Sequence, residues 1–290
     1  MSTSSRSHTA ARQERQITNA HGTASDSETT PLLNGSSKPP ERPSLWQRTH
    51  RHFTANVDNT WGDVALLFCY IITGLLDSSS TSIWGSFVSM QTGNTVYVGL
   101  GLAHPSDSDR WIRSGISILS YCAGSFFFSR FHRALGVTRR WVIVASYTIQ
   151  LLLCAIAALI VTLNPNVSDE NSGIDAFVAT PLAILAFQSS GQTVVSRVLK
   201  YPSLTSVVLT SIYCDLFSDR ELFTASLTQN AERNRRAIAP LLLLVGAIFG
   251  GLWAHSSFGM AGALWTAVIL KTLVVTTWIF WKAEPQLQEP

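Results

Sequence analysis

From Trp61 almost to the end of the chain, long apolar runs follow one another with short polar breaks. They cover 62–80, 83–103, 112–130, 141–163, 177–197, 203–218, 237–255 and 259–281. Several reach the roughly 20 residues that an α-helix needs to cross the hydrocarbon of a bilayer, whereas barrel strands would be shorter and alternating. A chain with so many runs of this kind reads as an all-α polytopic membrane protein, with the lipid bilayer as its first partner. Composition agrees, since only 13% of residues are charged and 46% are hydrophobic, against about 25% charged in a soluble domain. The net charge of +3 is small, and with no basic stripe or zinc-finger spacing it argues against nucleic-acid binding. Cys69, Cys122, Cys154 and Cys214 each stand alone in an apolar run without a CxxC pair, as small hydrophobes do.

Residues 1–60 are a different material. They are rich in Ser, Thr, Asn, Gln and Pro, and such a stretch buries too little to offset the entropy of ordering, so a disordered cytoplasmic tail is expected. No apolar segment follows the first basic residues, so the tail does not read as a secretory signal. Within it, Glu28 stands ahead of the adjacent Leu32 and Leu33, with Asp26 and Ser27 just upstream. This is similar to an acidic dileucine sorting signal, which implies an adaptor complex as partner and the vacuolar membrane as destination. A helical transmembrane domain is expected over 61–282 and a short C-terminal tail over 283–290.

Two runs are weak spans. The run at 83–103 is broken by Gln91-Thr92-Gly93-Asn94, and 203–218 is short, rich in Ser and Thr, and ends near Asp215. Loop charge tests whether they cross, because Lys and Arg favour the cytoplasmic side of short loops. Arg130, Arg133, Arg139 and Arg140 ask for the loop after the third run to be inside. The loop at 164–175 has only acids and belongs outside, where the sequon at Asn166 would be glycosylated; Asn34 heads a second sequon, in the tail. Arg197 and Lys200, then Arg233, Arg235 and Arg236, again ask for the inside, as do Arg48 and Arg51 before the first run. All are satisfied together if runs two and six enter the membrane and return on the same side. About six full crossings remain, with both termini cytoplasmic. Each half, 61–163 and 174–282, then has one span, one broken or re-entrant segment and two spans, in opposite orientations: an inverted 3+3 repeat of the kind secondary transporters use. An eight-span layout with fewer arginines inside is the alternative. A faint internal echo accompanies the halves. Gly74 precedes Thr92 by eighteen residues, and Gly191 precedes Thr210 by nineteen.

The stretch Gly74-Leu-Leu-Asp77, with Phe87 and Thr92-Gly93-Asn94 after it, resembles the opening signature of the YoaK-like family, the domain of unknown function numbered 1275. A second signature, a glutamine-bearing helix and then a Thr-Gly turn, is similar to Gln188 through Gln192 followed by Thr210 and Ser211, with Ser211 where glycine is commoner. The resemblance covers roughly 62–281. It implies a small membrane protein of about six spans, without an established activity, substrate or reactive residues. The long tail and its dileucine suit a fungal member.

Asp77 is the sharpest residue, because an acid at membrane depth is a functional-site hypothesis by default. It either belongs to a site or caps a helix at the membrane boundary. Gln188 and Gln192 lie one turn apart and share a face, from which they would meet Asp77 across the interface of the halves. With Gln91, Thr92 and Asn94 they form the candidate site for a proton or a small polar solute. Gly93 allows a turn or a close helix approach. Asn94 reads as packing glue or as a solute contact, and Asp215 as a mirror of Asp77 or a surface acid. Lys271, in mid-run, either snorkels to the cytoplasmic face or pairs with an acid in the bundle. No metalloprotease, nucleophile-elbow or phosphate-loop motif is present, so neither an enzyme nor a metal or cofactor is expected. Two functions follow: a secondary transporter of a small polar solute, or a non-transporting structural or trafficking membrane protein.

Overall fold

A computed structural model describes residues 44–164, 176–223, 226 and 229–284. The described residues form helices joined by turns, with two isolated bridges, Asn56 to Arg139 and Val57 to Ala283. In chain order the helices are α1 (Leu45–Thr54), α2 (Gly62–Trp84), α3 (Gln91–Ala103), α4 (Arg110–Leu135), α5 (Arg140–Leu163), α6 (Ala176–Val198), α7 (Thr210–Phe217), α8 (Ala231–Ala254) and α9 (Gly259–Ile279). Each apolar run carries a helix, and at runs two and six the helix begins only at Gln91 and Thr210. Four helices are long and apolar enough to cross a membrane: α2, α5, α8 and α9. The chain is therefore read as an integral membrane protein. Helices α4 and α6 have 26 and 23 residues but more polar sequences. In α6 the polar stretch from Gln188 to Ser196 is buried by neighbouring helices, so its side chains need no apolar character.

Within the stretch 1–60, expected to be unstructured, residues Leu45–Thr54 form α1. Ser44 caps α1 in a capping box: its hydroxyl accepts from the Gln47 amide at 3.2 Å, and the Gln47 side chain accepts from the Ser44 amide at 2.9 Å. Two orphan N–H groups are satisfied reciprocally, which is enough to start a helix in polar sequence. The following 55–58 segment is pinned on both sides, by Val57 N to Thr138 O at 3.1 Å and Asp58 N to Lys282 O at 3.1 Å. Residues 1–43, and with them Glu28, Leu32 and Leu33, lie outside the described residues, as does Asn166.

After α2 the chain doubles back. Gly85 ends the helix at φ +69°, a left-handed conformation that glycine adopts without strain. Residues 86–90 then run back beside Asp77, two turns below the end of α2, before α3 rises again. Helix α4 starts at the level where α2 ended, since Arg110 donates to Gly85 O and Arg113 to Trp84 O, the latter at 3.1 Å. These cations satisfy carbonyls left free at a helix C-terminus. The second half repeats the manoeuvre after α6. Residues 203–206 return beside Gln192 and Thr193, α7 follows, and α8 starts where Arg235 meets Asp63 at 2.6 Å, near the start of α2.

The main helix pairs are α2 with α8, α4 with α6, α5 with α9, α3 with α4, α5 with α6, α2 with α9, α8 with α9 and α7 with α8. Glycines set the closest of them. A Cβ on Gly74 would stand 2.8 Å from Ala247 N, and one on Gly246 would stand 2.8 Å from the Ile71 carbonyl carbon, so the α2 and α8 backbones touch. Gly124 meets the backbone of Phe187 in the same way between α4 and α6. Where lipid is as apolar as the side chains, such close packing is what holds helices together.

Candidate functional site

Each of the two returning segments is bonded to α2 or α6. Ser189 on α6 donates to Val88 O at 2.9 Å. Thr73 on α2 donates to Ser206 Oγ at 3.0 Å, and Gln192 Nε2 donates to Ser206 Oγ at 2.6 Å and Thr73 Oγ1 at 2.9 Å. Each half's broken segment is thus held by the first helix of the other half. Ser206 adopts φ +61°, an uncommon conformation for a residue with a side chain, and the two donors at its hydroxyl keep it there.

Asp77 faces the turn before α3. Its Oδ1 accepts from Val88 N at 2.9 Å and Ser89 N at 2.8 Å, and Oδ2 accepts from Ser89 Oγ at 2.5 Å. A carboxylate offers enough lone pairs for all three donors, and backbone that breaks a helix in an apolar setting must find such partners. Asn94 is wholly buried and saturated. Its Nδ2 donates to Phe87 O at 2.7 Å, Gln91 Oε1 at 2.9 Å and Ser117 Oγ at 3.1 Å, while Oδ1 accepts from Ser86 Oγ and Phe87 N, each at 3.0 Å. It joins the turn, α3 and α4, the packing role. Gly93 admits the Phe87 ring, whose Cε2 would be 2.7 Å from an added Cβ.

Two cavities open beside these segments. One of about 510 Å³ has Asp77, Thr73, Gly74, Phe87, Thr92 and Thr210 in its wall. The other, about 330 Å³ and more polar, is lined by Gln91, Thr92, Tyr121, Thr193, Arg197 and Thr205. Thr92, Val207 and Val208 line both. Gln188 does not join the site. It is buried, and neither of its amide atoms has a hydrogen-bond partner among the described residues. Asp215 is exposed on α7.

A profile described as protein of unknown function DUF1275 matches residues 65–277. The chain belongs to the DUF1275 family. No curated protein and no solved structure matches it. The DUF1275 region contains both broken segments, both cavities and all six residues of the expected solute or proton site, while α1 precedes it.

Within the DUF1275 region the sequence reading missed the hydroxyl contacts of Thr73, Tyr121, Thr193 and Ser206, because isolated hydroxyl residues in apolar runs carry no spacing signal. Lys271, named from the sequence, takes neither of the roles expected for it. It neither snorkels nor pairs with an acid: it is 1% exposed and donates to Gln150 Oε1 on α5 at 3.1 Å. Gln150 is itself buried, and its Nε2 has no partner among the described residues. No group of three or more His, Cys, Asp or Glu able to hold a metal occurs among the described residues.

Proposed function

We propose that this DUF1275 protein is a secondary transporter of a small polar solute, built as two inverted halves with six crossings and both termini in the cytoplasm. The observation that carries the reading is the pair of cavities whose walls share Thr92, beside the first broken segment, with Val207 and Val208, beside the second. In this fold plan the solute sits near mid-membrane at the interface of the repeats, between unwound segments.

Several features support the inverted repeat. The order long, short, long, long occurs twice, as α2–α5 and α6–α9. Exchanging the halves turns the pair α2 with α8 into α6 with α4, α3 with α4 into α7 with α8, and α5 with α6 into α9 with α2; each counterpart is present. Helices α2 and α6, or α5 and α9, would face their own images, and a two-fold axis in the membrane plane requires such pairs to be antiparallel. They are. Asn59 O, just before α2, accepts from Tyr201, just after α6, while Thr73 meets Gln192. Tyr147 stacks on Trp278, Gln150 meets Lys271, and Thr162 meets Trp265.

In this mechanism Asp77 is a positioning residue, since its oxygens hold the turn that presents Thr92. Gln91, Thr92 and Thr193 offer the solute hydroxyl and amide contacts. The reading assigns the chain no catalytic step, metal or cofactor. The saturated Asn94 and the sealed Gln188 favour the other reading, a non-transporting structural or trafficking protein. Glu28, Leu32 and Leu33 would take the protein to the vacuolar membrane through an adaptor complex. Alanine at both leucines is expected to redirect it, and unchanged location would end that part of the proposal.

Proteoliposomes test the transport reading. Purified protein is screened for uptake of small polar solutes, with Thr92→Trp as a variant that enlarges a side chain both cavities share. Transport is expected for the parent and loss for T92W at equal incorporation. Thr92→Cys, in a background without Cys122 and Cys214, should also react with an impermeant thiol reagent. Absence of both flux and labelling favours the structural reading.

A further inference from the structure

Both short helices begin at the cavities. Gln91 and Thr92 open α3, and Thr92 lines both spaces; Thr210 and Ser211 open α7, the first lining the larger cavity and the second the smaller. No side chain caps either helix start. The first N–H groups of a helix lack intrahelical acceptors and carry partial positive charge. Asp77 bonds to the amides of Val88 and Ser89, which lie ahead of α3, and it lines only the larger cavity. The smaller cavity, of about 330 Å³, also has Arg197 in its wall, from the last turn of α6. The Arg197 guanidinium has no hydrogen-bond or ion-pair partner among the described residues. Thr205 lines the same cavity and is only 8% exposed, yet its hydroxyl has no partner among the described residues either. Its carbonyl accepts from Thr193, which in turn accepts from Tyr121 at 2.9 Å, so the backbone that carries the free hydroxyl is fixed.

We propose that this smaller cavity binds a small organic carboxylate. The proposal names the solute class of the transport reading and rests on that reading for the role of the cavity. Arg197 takes the carboxylate through its planar fork, which matches two oxygens at once. The hydroxyls of Thr92, Thr205 and Ser211 donate to the same oxygens, and the two helix starts add their partial charges, as helix N-termini do for anionic groups. A neutral solute would leave the guanidinium without an acceptor on the solute. A cation that served only the carbonyls at the end of α6 would give the buried Thr205 hydroxyl no partner. The volume stands at the small end of ligand sites, which limits the solute to a short chain.

Isothermal titration of the full chain in detergent tests the site, with acetate, lactate and succinate as probes and their neutral amides as controls. At least one carboxylate is expected to bind, and its amide at least tenfold more weakly. Arg197→Gln should weaken that binding about a hundredfold, two charge-assisted hydrogen bonds at about tenfold each, and Arg197→Lys, which keeps the charge but not the fork, about tenfold. Thr205→Val should cost about tenfold with an unchanged melting temperature, because its hydroxyl has no protein partner to lose; a purely structural threonine would not separate the two readouts. Lys200→Gln removes an exposed charge three residues from Arg197 that lines neither cavity, and should leave binding unchanged. Equal loss in K200Q and R197Q would show unspecific attraction and overturn the site. Failure of every carboxylate to bind, or amides that bind as tightly, would overturn the carboxylate even if neutral solutes cross proteoliposomes, an outcome that leaves the transport reading standing. Carboxylate binding that follows this variant series without any flux would uphold the site and end the transport reading.

Discussion

Lys271 on α9 and Gln150 on α5 meet at 3.1 Å inside the bundle, and among the described residues no carboxylate joins them. A lysine in such a place depends on its one acceptor, because an unsolvated cation without a partner is strongly disfavoured. Gln150→Leu should therefore destabilise the protein by about 2 kcal/mol, the scale of a lost hydrogen bond to a charged group. Lys271→Met, similar in shape and apolar, should stay within about 1 kcal/mol of the parent. The double variant should recover most of the loss, as contacting partners do in a double-mutant cycle. Thermal unfolding in one detergent measures all three, and a double variant no better than Q150L would count against the pairing.

The α2–α8 contact makes a steric prediction. A methyl group at Gly74 meets the backbone at Ala247 N and Leu243 O, which cannot rotate away as a side chain would. Gly74→Ala should destabilise by about 2 kcal/mol or more. Gly99 on α3 has open space where its Cβ would be, so Gly99→Ala should be neutral or stabilising by about 0.5 kcal/mol, from helix propensity alone. Melting temperatures of the two variants should move in opposite directions or by very different amounts. Equal shifts would mean that the helices are not this close.

These two contacts show what could be read before the structure. Gly74 and the Thr92-Gly93-Asn94 break were legible because glycine and polar residues inside an apolar run contradict their surroundings, and contradiction marks a close approach or an opened helix. Helical spacing aimed Gln188 and Gln192 together at Asp77, but Gln192 bonds to Cys69 O, Thr73 and Ser206, and Gln188 has no partner among the described residues. Asp77 was legible as a residue but not as a function, because its partners are the backbone N–H groups of Val88 and Ser89, which have no sequence signature. Gln150 and Lys271 lie 121 residues apart, and only the docking of α5 on α9 brings them together. Helix α1 was missed because tail composition was averaged over sixty residues. Its capping box, Ser44 with Gln47, is visible in four.

Asp77 separates holding a turn from carrying charge. Asparagine can reproduce its bonds: Oδ1 accepts from Val88 N and Ser89 N, and an amide in place of Oδ2 donates to Ser89 Oγ. Asp77→Asn should remain within about 1 kcal/mol of the parent, whereas Asp77→Ala leaves buried N–H groups without an acceptor and should lose about 3 kcal/mol. With a positioning role, reconstituted D77N should keep the parent's dependence of transport on pH. A pH-independent or absent flux in well-folded D77N would instead make the carboxylate part of proton coupling.

Topology gives the broadest test, because each half predicts the other. The end of α2 and the start of α4 share one level through Arg110 and Arg113, and on the proposed arrangement the α3 segment enters and leaves on the same side. The Arg235–Asp63 pair places the start of α8 beside the start of α2, and the proposed arrangement then has α7 on the opposite side from α3. With Arg48, Arg51, Arg130, Arg133, Arg139 and Arg140 drawn to the cytoplasm, reporters at the N-terminus, within 131–139 and at the C-terminus should all read cytoplasmic. A reporter within 165–175 should read the other side, and Asn166 there should accept a glycan in a eukaryotic host. An eight-span chain that keeps its N-terminus inside would place 131–139 outside. A non-cytoplasmic signal there would therefore remove the six-crossing arrangement and, with it, the inverted halves on which the transport mechanism depends.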